Sequence, residues 1–129
     1  MSTITNKSRV NIYEVENSGR CEYITYYDCK LKRFKVFKEG RKIAKKYISA
    51  PFTGHYNDLT WKYFYEMLNE EETEIAYSYT KRRGFFNYMK ENGLIDTFYE
   101  AQDRARHEYF AEWEKANGLS IDWNTVTIV

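Results

Sequence analysis

The chain has 129 residues, 43% apolar and 19% aromatic, with a formal net charge of +1. It is long enough to bury a core without covalent staples and too rich in apolar residues for disorder. One proline, six glycines and no uncharged run longer than residues 47–57 exclude collagen-like, proline-rich and membrane-spanning classes.

Residues 1–16 lack the apolar segment of a secretory signal. With two cysteines, that points to a reducing, cytoplasmic setting. Residues 8–16 alternate weakly and contain β-branched and aromatic residues, which predicts a strand closed by the turn Asn17-Ser18-Gly19. Residues 21–28, CEYITYYD, predict a second strand. Asp28-Cys29-Lys30 supplies the next reversal, and residues 31–38, LKRFKVFK, predict a third strand. Period-two alternation puts Phe34 and Val36 on one face of that strand and Arg33, Lys35 and Phe37 on the other.

Residues 41–48, RKIAKKYI, place Ile43, Ala44, Tyr47 and Ile48 on one side at helical spacing and four cations on the other. They predict a short basic helix ending before Pro51. Residues 50–57 read as a loop. Asp58 or Thr60 is expected to cap a helix through WKYFYEML, and Asn69 with Glu72 has capping-box spacing for the next one. Glu70, Glu71, Glu72 and Glu74 then lie where the helix dipole favours acids, so they need no metal. That helix is expected to run on with a break at Gly84 and a stop at Gly93. Lys81, Arg82 and Arg83 beside Phe85 and Phe86 make a second basic-aromatic spot, read first as a helix junction with both Phe in the core and alternatively as an extension of a nucleic-acid surface. Ile95, Phe98, Gln102, Ala105, Tyr109, Trp113 and Ala116 predict a helix over 95–116, ended by Asn117-Gly118. Its surface is expected to carry a Glu100, Arg104, Glu108 ladder. LSIDWNTVTIV predicts a final edge strand. The fold class is therefore α+β: a three-stranded antiparallel sheet with a basic helix over residues 1–50, then an acidic helical part over 51–129 with a terminal strand, packed as one globular domain.

Charge is split along the same line. Residues 1–56 carry +7 and residues 57–129 carry −6. Lys30, Lys32, Arg33, Lys35, Lys38, Arg41, Lys42, Lys45 and Lys46 crowd into seventeen positions against Glu39 alone. Such crowding costs self-repulsion, and the interleaved Phe34, Phe37 and Tyr47 suit a surface that meets phosphates and stacks on bases.

KRFKVFKEGRKIAKKYI (residues 32–48) resembles the end of the APETALA-type, or ethylene-response-factor-like, DNA-binding domain, relatives of which occur in phage integrases and some homing endonucleases. Phe34, Val36, Lys38, Gly40 and Ala44 sit at the family's aromatic-x-aliphatic, basic, glycine and helix-alanine places. The likeness spans roughly residues 20–50 and implies three strands followed by a packed helix, with the sheet in the major groove of duplex DNA. It implies base readout by Arg33 and Lys35 with Tyr23, Thr25 and Tyr27, and phosphate contact by Lys30 and Lys32. The remaining cations, Lys38, Arg41, Lys42, Lys45 and Lys46, extend the surface.

The function expected is a small non-catalytic nucleic-acid-binding protein without cofactor. One alternative is a protein-binding inhibitor or adaptor, of the kind small phage or mobile-element proteins often are, that blocks a host protein such as a defence nuclease. A third is a divalent-metal nuclease using Asp28 with Glu14, Glu16 or Glu22 from neighbouring strands. Cys21, Cys29, His55 and His107 match no zinc spacing. The cysteines are expected as buried thiols, and both histidines as polar surface.

Overall fold

The computed structural model describes residues 6–79 and 85–129. Its order is α1 (Asn6–Ser18), β1 (Tyr23–Asp28), β2 (Arg33–Lys38), β3 (Tyr47–Ser49), a single 3-10 turn (Thr53–Tyr56), α2 (Asn57–Met67), α3 (Glu70–Tyr79), α4 (Phe85–Glu91) and α5 (Ile95–Ala116). The class is α+β, with a helix first. The chain divides into two units, residues 1–55 with 109–129, and residues 56–108. The split does not follow the charge boundary, because the C-terminal residues return to the first unit.

Three elements differ from the sequence expectation, two of them in the first fifty residues. Residues 8–16 are helical: Ser8, Ile12, Val15 and Glu16 are buried while Val10, Tyr13 and Glu14 are exposed. That spacing of four and three is helical, and the buried side it forms outweighs the β-leaning composition. Residues 41–48 form no helix. Tyr47–Ser49 is instead the third strand, and Ala44 is exposed. Backbone pairing explains the exchange. Cys29 N–H donates to the Lys46 carbonyl at 3.2 Å, Ala50 N–H donates to the Thr25 carbonyl at 2.9 Å, and the extended chain between them pairs with β1 from Tyr26 to Asp28.

The sheet is antiparallel in the order β2-β1-β3. Its β1–β2 register sets Tyr27 against Phe34, Thr25 against Val36 and Tyr26 against Lys35. Residues directly opposite in a ladder share a face. One face therefore holds Thr25, Tyr27, Phe34 and Val36. It carries the core of the first unit: Tyr27 and Phe34 with Ile12 and Val15 of α1, Ala50, and Phe110 of α5. Phe34 is fully buried. Its ring meets Tyr27 edge-on at 5.0 Å and stacks with Trp123 at 5.5 Å and Trp113 at 6.4 Å.

The C-terminal tail forms no strand. It touches the free edge of β2 through one parallel bridge, Phe34 to Ile128, with Phe34 N–H donating to the Thr127 carbonyl at 2.8 Å and Val129 N–H to the Phe34 carbonyl at 2.9 Å. Asn11 Nδ2 donates to the Trp123 carbonyl at 2.7 Å, and Glu114 accepts from Trp123 Nε1, so α1 and α5 both hold the tail down.

The second unit is helical. Asn69 and Glu72 form the expected capping box, each side chain accepting the other's amide at 2.8 and 3.0 Å. The side chains of Asp58 and Thr60 do not cap α2: its cap position is Tyr56, whose side chain makes no capping hydrogen bond, and the Thr60 hydroxyl donates back to the Tyr56 carbonyl. Gly93 and Gly118 end α4 and α5 at positive φ, as expected. Phe64, Met89, Leu94, Phe98 and Ala101 are buried. Glu108 accepts from the Tyr63 hydroxyl, and Arg104 lies 3.9 Å over the Tyr63 ring, so the expected surface ladder is partly drawn onto a tyrosine. His107 is buried rather than solvated, 3.5 Å from Asp103. Phe86 is exposed rather than in the core, and Lys81 to Gly84 lie outside the described residues.

The two faces of β2 differ in what they bury, so truncation should separate them. Phe34→Ala should cost about 3–5 kcal/mol of stability, and Phe37→Ala on the other face about 1 kcal/mol. Urea unfolding followed by tryptophan fluorescence measures both.

Candidate nucleic-acid interface

The face of the sheet opposite Phe34 is built by the alternation that builds the core. Ile24, Tyr26 and Asp28 of β1 stand there against Phe37, Lys35 and Arg33 of β2, and Tyr47 and Ser49 of β3 lie beside Asp28 and Tyr26. Three half-buried rings form a row across the strands. Phe37 meets Tyr26 edge-on at 5.7 Å and Tyr47 at 4.9 Å. Cations surround the row. Lys35 Nζ lies 5.2 Å from the Phe37 ring centre, the Arg41 guanidinium 6.0 Å from the same ring, and Lys46 Nζ 4.9 Å from that of Tyr47.

Apart from Lys46, which is paired with Asp28, the site residues expected from sequence fall into three groups. Arg33, Lys35 and Arg41 meet on this face. Lys30 and Lys32 are exposed at the β1–β2 turn, and Lys42 and Lys45 in the segment before β3. Tyr23, Thr25, Tyr27 and Lys38 belong to the other face. Tyr27 is in the core, Thr25 is buried with its hydroxyl 2.6 Å from that of Ser18, and Tyr23 and Lys38 are exposed at the strand ends. The sequence resemblance implies the odd residues of β1. The ladder sets them with Phe34, because Tyr27 pairs with Phe34. Tyr26 is the residue missed, and that register is the signal that identifies it.

The β1–β2 turn holds one committed charge pair. Asp28 is fully buried; its Oδ1 accepts the amides of Lys30 and Leu31 at 2.9 and 3.0 Å, and its Oδ2 lies 3.2 Å from Lys46 Nζ. The Leu31 amide above all, with Lys46 and the Lys30 amide, holds the carboxyl below its ordinary range. The bond to Asp28 raises the Lys46 ammonium in turn. Lys46 is thus matched to a carboxylate, unlike the other cations of the face among the described residues. Lys32 completes the reversal at φ +53°. Arg33, opposite Asp28, has a buried Nε with no hydrogen-bond acceptor among the described residues.

The partners expected for Asp28 in a metal site do not stand beside it on strands, since Glu14 and Glu16 lie on α1 and Glu22 precedes β1. Both cysteines are exposed rather than buried. His55 is exposed in the 3-10 turn, its Nδ1 accepting the Phe52 amide at 3.2 Å and its ring stacked on Tyr109 at 5.8 Å. Among the described residues, no helix is long and apolar enough to cross a membrane. No protein-family model, curated protein or solved structure matches the chain.

The pair at the turn has a definite pH signature. A carboxyl with a lowered folded pKa stabilises the fold above its unfolded value, about 3.9, and that contribution fades as pH falls through the folded value. The raised ammonium contributes below its unfolded value, about 10.4, and its share fades at higher pH. The stability difference between wild type and Asp28→Asn should therefore be constant from pH 5 to 9 and shrink below pH 4. Urea midpoints across that range measure it.

Proposed function

We propose that this protein binds single-stranded nucleic acid on the outer face of its sheet. The observation that carries the reading is the row Tyr26, Phe37 and Tyr47 flanked by Lys35, Arg41 and Arg33. Aromatic rings on a sheet offer stacking to any base, and cations beside them meet the phosphates between bases. Bases in a duplex are already stacked on one another, so half-exposed rings favour an unpaired strand over the duplex groove implied by the sequence resemblance. The unsatisfied Arg33 Nε supports an anion at this face, because a buried donor without an acceptor is costly until one arrives. Binding of this type needs no cofactor and no chemistry. Exposed thiols at Cys21 and Cys29 fit a reducing, cytoplasmic setting.

A protein-facing role has one observation in its favour: Tyr77, Phe86 and Tyr99 of the second unit are each more than half exposed. Substituting these three leaves oligonucleotide binding unchanged if the sheet is the interface.

Fluorescence anisotropy with a labelled oligo-dT tests the reading at several salt concentrations. Affinity should fall linearly with salt on logarithmic axes. Phe37→Ala should weaken binding about 5- to 150-fold, the loss of one stacked base at about 1–3 kcal/mol. Lys35→Ala should reduce the salt slope by about 0.7, one phosphate contact on a single strand. Lys90→Ala, in the second unit, should change neither. Absence of binding, or binding indifferent to Phe37, would overturn the proposal.

A further inference from the structure

Beside the platform lies a cavity of about 410 Å³, between the end of α1, the N-terminal half of β1 and the segment after β3. Small-molecule sites begin near this size, and one nucleobase is smaller still. Tyr23, Tyr26, Phe52 and His55 give it aromatic walls, and Glu16 is the one acidic residue in its lining. At the back, Gly19 stands so close to β1 that a Cβ there would meet Thr25 Oγ1 at 2.8 Å and Thr25 N at 3.0 Å. Glycine lets the end of α1 close this wall.

Glu16 is an unusual residue to find there. It is only 7% exposed, although it belongs to the type least often buried. The Thr53 hydroxyl donates to its Oε1 at 3.0 Å. A carboxylate accepts several hydrogen bonds at once, so a ligand's N–H groups can share it with its protein partners, Thr53 among them. His55 adds the opposite polarity. Its Nδ1 accepts the Phe52 amide, so the neutral ring carries its proton on Nε2, a donor. The cavity thus combines flat apolar walls, an acceptor that bears charge, and a donor.

We infer that this cavity is a nucleobase pocket selective for bases that present N–H donors on their pairing edge, guanine first, with Glu16 as the reading group. The inference rests on the platform reading and deepens it: Ile24 and Tyr26 belong to both surfaces, so a strand crossing the rings can deliver one splayed base into the cavity. Guanine offers a ring N–H and an amino group side by side, which match the two oxygens of a carboxylate. Thymine and uracil offer one N–H between two carbonyl oxygens, which a carboxylate repels. Adenine and cytosine, with an amino group beside an acceptor, fall between.

The test compares labelled dT12 with the same oligonucleotide carrying one central guanine. The guanine strand should bind about tenfold more tightly, the discrimination of one good paired contact. Glu16→Gln should remove that preference, leaving dT12 binding unchanged or slightly stronger through loss of one negative charge. Phe52→Ala, at an exposed wall residue, should also reduce the preference, and circular dichroism confirms that both variants fold. Should dT12 bind without a guanine preference, or with one that survives both variants, the pocket is overturned while the platform stands. Should no oligonucleotide bind, the platform fails, and titration with guanosine monophosphate followed by amide NMR decides the pocket. Saturating shifts around Gly19 and Thr25 that vanish in Glu16→Gln support it, and their absence overturns it.

Discussion

The pairing of Tyr27 with Phe34 across β1 and β2 is the constraint on which the first unit depends. It commits both aromatic rings to one side of a three-stranded sheet. Everything apolar near them then has a place to go: Ile12 and Val15 from α1, Phe110 and Trp113 from α5, Trp123 and Ile128 from the tail. A one-residue slip of β1 in this ladder would set Tyr26 against Phe34, sending its ring into that core and Tyr27 out to water. The core and the candidate interface are therefore two consequences of one register.

The price of that arrangement is charge density. Nine cations lie between Lys30 and Lys46, and among the described residues only Lys46 finds a buried carboxylate. The structure spreads the rest over the β1–β2 turn, the segment before β3 and the outer face. Lys35 and Arg41 rest against Phe37, whose ring face attracts cations modestly without neutralising them. A surface of this composition keeps its positive potential, as a binder of polyanions requires.

Asp28 joins the two halves of this description. It caps the reversal after β1 with one oxygen and anchors Lys46 with the other, so the turn that sets the register also draws β3 to the sheet. Residues 41–48 carry the helical spacing of Ile43, Ala44, Tyr47 and Ile48 in the sequence. Local spacing favours the helix, and long-range backbone pairing with β1 wins.

The sequence by itself determined strands within 21–28 and 31–38, the capping box at Asn69 and Glu72, the helix ending at Asn117-Gly118, and the gathering of Arg33, Lys35 and Phe37 on one side of β2. Each follows from period, turn chemistry or capping within a few residues, where local physics suffices. Tertiary structure alone decided that residues 8–16 are helical, that Tyr47–Ser49 is the third strand, and that Tyr26 rather than Tyr27 joins the outer face. Those three choices depend on what lies across from each residue. Ile12 and Val15 need a core to bury against, Lys46 needs Asp28, and the face of a β1 tyrosine is set by its partner on β2.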